Sequence, residues 1–94
     1  MIELFYLERR LRALDEALAR YQLQLQELKE ALKWMEELRP KAVYRVFGGR
    51  VAVEVDPAKA KEVIEDEIKL LEVKIESLKK QREEVERKIK ELTD

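Results

Sequence analysis

Residues 41–56 read KAVYRVFGGRVAVEVD, and their interpretation decides the fold. Gly48 and Gly49 stand side by side between β-branched and aromatic residues. Only glycine takes positive φ without a steric penalty, and both central positions of a type I′ turn need it. The pair therefore predicts a hairpin with a two-residue loop. In that register Phe47 faces Arg50, Val46 faces Val51, Arg45 faces Ala52, Tyr44 faces Val53, Val43 faces Glu54, and Ala42 faces Val55. Side chains alternate along a strand. One face is then expected to carry Ala42, Tyr44, Val46, Val51, Val53 and Val55, apolar apart from one hydroxyl. The other carries Val43, Arg45, Phe47, Arg50, Ala52 and Glu54.

On either side of the hairpin the period changes from two to three-and-a-half. Leu4, Leu7, Leu11, Leu14, Leu18, Tyr21, Leu25, Leu28, Leu32 and Met35 form an unbroken a/d seam. A helix over about residues 2–38 follows, and Pro40 ends it by disfavouring helical geometry at Arg39. After the hairpin, Ile64, Ile68, Leu71, Ile75, Leu78, Arg82, Val85, Ile89 and Leu92 form a second seam, interrupted only by Arg82. Asp56-Pro57 is a start signal, and the second helix is expected over about residues 57–93. Glu8 to Arg12, Glu16 to Arg20, Glu65 to Lys69 and Glu76 to Lys80 are spaced for ion pairs along the outer faces.

The two seams match each other. Folding back at the hairpin sets Met35 beside Ile64, Leu28 beside Leu71, Leu14 beside Val85 and Leu7 beside Leu92, all in one register. That match predicts an antiparallel two-helix coiled coil in a mainly α, single domain over 1–94, with the hairpin at about 42–55. Arg82 falls opposite Leu18; its stem is expected along the seam, its guanidinium turned out toward Asp15.

Two surfaces are left over. A lone hairpin is marginal in water and shows two open edges. Its expected fate is association with other hairpins; the alternative is that it folds down onto its own helices. Val63, Leu70 and Trp34 add apolar surface near it. The opening stretch, MIELFYL, is the second. Leu7 is the last residue of the first helix with a seam partner, so Met1, Ile2, Leu4 and Phe5 overhang at the tip. They either cap the coil or bind another protein.

Composition excludes most chemistry. Hydrophobic residues make up 46% and charged residues 44%, which leaves little for loops and favours long helix. The chain has no Cys or His, so disulfides, thiolate sites and imidazole ligands or bases are unavailable; no metal site, cofactor or catalytic residue is expected, and the chain reads as a non-enzyme. With 20 basic and 21 acidic residues nothing draws it to nucleic acid or an anionic membrane, and Glu83, Glu84, Glu86 and Glu91 break up the basic run of the second helix. MIELFYL has no basic lead and is followed by Glu8-Arg9-Arg10, unlike a secretory signal, so a cytoplasmic protein is expected.

The layout of coiled coil, one hairpin, coiled coil resembles the β-class of prefoldin subunits. VYRVFGGRVAVEVD (Val43 to Asp56) is similar to the family's Tyr-x-x-apolar-Gly hairpin, and LEVKIESLKKQ (Leu71 to Gln81) to a Leu-Glu-x-x-apolar-x-x-Leu-x-x-Gln stretch in its returning helix. YQLQLQELK (Tyr21 to Lys29) is similar to its Gln-rich first helix. The resemblance implies an ATP-independent holdase subunit. Its hairpin would join those of other subunits, in a hetero- or homo-oligomer, as a β-barrel platform. Its coiled-coil tips would hold unfolded proteins and pass them to a group II chaperonin. On that reading Tyr44, Val46, Phe47, Val51, Val53 and Val55 are assembly residues, Gly48 and Gly49 the hairpin turn, and Ile2, Leu4, Phe5, Leu7 and Leu92 the client-binding tip. The competing expectation is a scaffold subunit of a prefoldin-like assembly, with one fixed protein partner.

Overall fold

The computed structural model describes residues 1–94. Two long helices flank one hairpin: α1 (Ile2–Leu38), β1 (Val43–Phe47), β2 (Val51–Val55) and α2 (Pro57–Thr93). The strands form a two-stranded antiparallel sheet. The chain divides into two compact units, one of Met1–Leu25 with Leu71–Asp94, the other of Gln26–Leu70.

In the first unit the start of α1 lies antiparallel to the end of α2. Its core consists of Leu14, Leu18, Leu71, Ile75 and Val85, all on the seam; Val85 is only 4% exposed. Leu11, Tyr21, Leu25, Leu78 and Ile89 are half-buried around them. Arg82 is half-buried where an apolar residue was due, and its Nε donates to Asp15 on α1 while a terminal guanidinium nitrogen donates to Glu86. The Asp15 hydrogen bond is the main reason its pKa lies above the ordinary arginine value. Lys74 lies over the Tyr21 ring, 5.4 Å from its centroid, a second tie between the helices.

The second unit holds the end of α1, the hairpin and the start of α2. Leu28, Leu32, Met35, Ile64 and Ile68 are half-buried along the seam, and Lys61 pairs with Glu36 across it at 3.7 Å. α1 stops where Pro40 predicts. Arg39, just past its end, takes φ +45° and donates its backbone N–H to the Met35 carbonyl at 3.0 Å, an αL cap made without glycine. α2 opens at Pro57, with the Asp56 carbonyl accepting the first helical bond from Ala60 at 2.9 Å.

The hairpin register corrects the expectation. Both glycines have positive φ, +59° and +71°, and Arg50 N–H donates to the Phe47 carbonyl at 3.1 Å, as a type I′ turn requires. The ladder nevertheless begins at Phe47 and Val51, leaving Arg50 out as an extra loop residue. Arg45 then faces Val53, Tyr44 faces Glu54, Val46 faces Ala52 and Val43 faces Val55. A slip of one residue moves every side chain of one strand to the other face. Tyr44 and Val46 therefore do not share a face with Val51, Val53 and Val55; they share one with Ala52 and Glu54. The valines of β2 lie beside Val43, Arg45 and Phe47 instead.

The outer-face ion pairs also differ from the spacing-based expectation. Besides Arg82–Glu86, those present within the helices are Lys33–Glu37, Lys59–Glu62 and Glu84–Lys88, at 3.5–3.9 Å and well exposed. Exposed pairs of long side chains contribute little and hold no fixed geometry, so spacing alone does not select them.

Candidate binding surfaces

The first surface is built on the opening turns of α1. The seam residues Leu4 and Leu7 are half-buried, while Ile2 is 74% and Phe5 54% exposed, and Met1 and Tyr6 are exposed beside them. Helix geometry explains the division: residues 4 and 7 fall on the seam side, and 2, 5 and 6 between seam positions. Phe5 and Tyr6 meet edge to face with centroids 6.1 Å apart, and the Arg9 guanidinium covers the Phe5 ring at 5.8 Å. In α2 of the same unit Leu92 is 45% exposed, the one seam position of that helix left mainly open. Tyr6 was missed as a candidate. The signal was its place one residue before the seam leucine Leu7, with an aromatic neighbour already counted.

The second surface is the hairpin. Tyr44, Val46, Phe47, Val51 and Val53 are exposed, and Val43 and Val55 at its base are half-buried. The base leans on the first turns of α2. Val43, Tyr44, Arg45 and Val55 line a cleft of about 230 Å³ with Ala60, Val63, Ile64 and Glu67. Arg45 closes its rim by pairing with Glu67 at 3.9 Å, and its guanidinium lies 5.2 Å from the Phe47 ring centroid. Val63 thus belongs to the hairpin's footing, whereas Trp34 and Leu70 stay exposed. The footing followed from the face exchange: only in the observed register do Val43, Arg45 and Val55 point the same way. Both outer edges of the sheet have no strand beside them.

No helix is long and apolar enough to cross a membrane. What the chain presents is two exposed apolar surfaces, one at the start of α1 and one on the hairpin.

The chain belongs to the prefoldin subunit family: the profile of that family, described as "Prefoldin subunit", matches residues 3–94. It is 38% identical over 72 residues to prefoldin subunit beta of Thermococcus gammatolerans and 36% to that of Thermococcus onnurineus, each match covering 77% of this chain and 62% of the relative. Prefoldin subunit beta of Pyrococcus furiosus is 35% identical over the same length. The chain thus spans about six-tenths of the length of the curated relatives it matches. The crystal structure of the prefoldin beta subunit from Thermococcus strain KS-1 superposes with a TM-score of 0.84 at 31% identity, covering 97% of this chain and 80% of that one. The superposition takes in nearly all of this chain, its two helices and the hairpin between them included.

Proposed function

We propose that this chain is a subunit of an ATP-independent cytoplasmic holdase, assembled with other prefoldin-type subunits through its hairpin. The observation that carries the reading is the exposed cluster Ile2, Phe5 and Tyr6 on a helix whose opposite face is committed to the seam. A non-native chain exposes apolar side chains in no fixed geometry. Exposed aromatic and aliphatic side chains on a rigid helix suit such a partner better than a shaped pocket does. Ile2, Leu4, Phe5, Leu7 and Leu92 form the gripping surface, with Tyr6 added to it. Tyr44, Val46, Phe47, Val51, Val53 and Val55 form the assembly surface. The work done is binding and release: the client leaves to a group II chaperonin, with no bond made or broken and no catalytic residue, metal or cofactor involved.

The test is suppression of aggregation. Purified assembled subunit is mixed with a denatured client and light scattering is followed. Replacing Ile2, Phe5 and Tyr6 together with Ser is expected to abolish most of the suppression while native mass and helicity are unchanged. Undiminished suppression in that variant would sink the tip assignment.

A further inference from the structure

Each exposed ring at the start of α1 has an arginine four residues further on: Arg9 after Phe5, and Arg10 after Tyr6. Residues four apart share a side of a helix, and helical side chains lean back toward the N-terminus. Both arginines therefore lean toward the rings. Arg9 shows it, with its guanidinium 5.8 Å from the Phe5 centroid. Glu3 precedes the rings, and the same tilt carries it away from them. Glu8 lies closer to Phe5, but Arg12, four residues beyond it, offsets its charge. Arg9 and Arg10 enter no ion pair: those of the chain involve Arg45, Arg82 and lysines only. On α2 of the same unit Lys88 is held by Glu84, and Arg87 and Lys90 alternate with Glu86 and Glu91, so no comparable excess arises there.

Two guanidinium groups are thus left beside an apolar patch with no carboxylate of their own. A guanidinium resting on a ring keeps its N–H donors for a planar, bidentate partner, which a carboxylate is. We propose that the tip selects, among non-native segments, those in which Asp or Glu accompanies the apolar residues, and that Arg9 and Arg10 read the charge. The apolar side chains of such a segment cover Ile2, Phe5 and Tyr6, while its carboxylates take up the free donors. Segments flanked by Lys or Arg are disfavoured, because like charges then meet beside the rings. The inference rests on the tip being the client surface and adds which clients it favours.

The test uses three fluorescent peptides with one shared apolar core and flanking pairs of Glu, Gln or Lys, followed by anisotropy against the assembled subunit. At low salt the Glu-flanked peptide is expected to bind about three- to tenfold tighter than the Gln-flanked one, and the Lys-flanked one more weakly than both. The differences should close toward about 1 M salt, where the screening length falls to about 3 Å. Replacing Arg9 and Arg10 with Gln, itself a good helix former, is expected to make the three peptides bind alike. Wild-type chain that does not distinguish the peptides, or an Arg9→Gln, Arg10→Gln variant that still does, overturns the charge preference. Polyglutamate binding as tightly as the Glu-flanked peptide would mark a general polyanion site and overturn it too. The variant with Ile2, Phe5 and Tyr6 replaced by Ser separates the two readings. If it loses all three peptides, the tip reading stands whatever the charge result; if it binds them as the wild type does, the tip reading itself fails. A wild-type chain that binds none of the peptides overturns both.

Discussion

Arg39 is the one non-glycine residue with positive φ, and it holds that conformation to cap α1 ahead of Pro40. The left-handed region is sterically unfavourable for any residue with a Cβ, by about 1–2 kcal/mol. Arg39→Gly is therefore expected to stabilise the chain by about 1 kcal/mol, after allowing for the greater freedom of glycine in the unfolded state. Chemical denaturation compared at equal protein concentration reads this directly. Arg82 is a second residue whose identity and place conflict. It breaks the second seam, and its guanidinium reaches out to Asp15 and Glu86 rather than into the core. Arg82→Leu completes the apolar seam and leaves two exposed carboxylates that water solvates well, so the thermal midpoint is expected to rise. A fall would show that the Asp15 tie holds the helices in register more strongly than packing does. Both residues were readable in part. The broken seam and the acid opposite pointed to the Arg82–Asp15 contact, whereas the αL geometry of Arg39 depends on where the chain heads after Pro40.

At the scale of elements, the helices were legible almost to the residue, because an a/d repeat bounded by Pro40 at one end and Asp56-Pro57 at the other admits few alternatives. The hairpin was legible as an element but not in its register. The glycine pair does form the turn, with positive φ at both positions. Whether Arg50 joins the ladder or stays in the loop depends on how the strands seat on α2. The observed register brings Val43 and Val55 over Val63 and Ile64, and Arg45 to Glu67. Those long-range contacts do not show in a local pattern. A Cβ at Gly49 would meet nothing within 4 Å, so a substitution there is penalised by backbone conformation alone. Gly49→Val is expected to destabilise the hairpin by about 1–2 kcal/mol, and Gly49→Asn by much less, since Asn tolerates the left-handed region. Hydrogen exchange of the β1 and β2 amides measures the difference locally; equal protection in the two variants would contradict it.

On the scale of the whole molecule, only five side chains are buried, against fifteen large apolar ones left exposed. A chain of 94 residues with so thin a core draws much of its stability from whatever covers the remaining surface. Its thermal midpoint is accordingly expected to climb with protein concentration, as it does for any fold stabilised by association. A midpoint flat over a hundredfold dilution would mean the chain stands alone.

What the amino-acid order determined by itself was the succession of elements, the seam residues of both helices and the family. Each of these rests on periodicity or on a turn residue acting over a few positions. The tertiary structure decided which residues share a hairpin face, that the hairpin base rests on α2, and that Leu4 and Leu7 are half-buried while Phe5 and Tyr6 are open. A strand's face changes with a single-residue slip, and the energy that selects one register here comes from contacts with a helix distant in sequence.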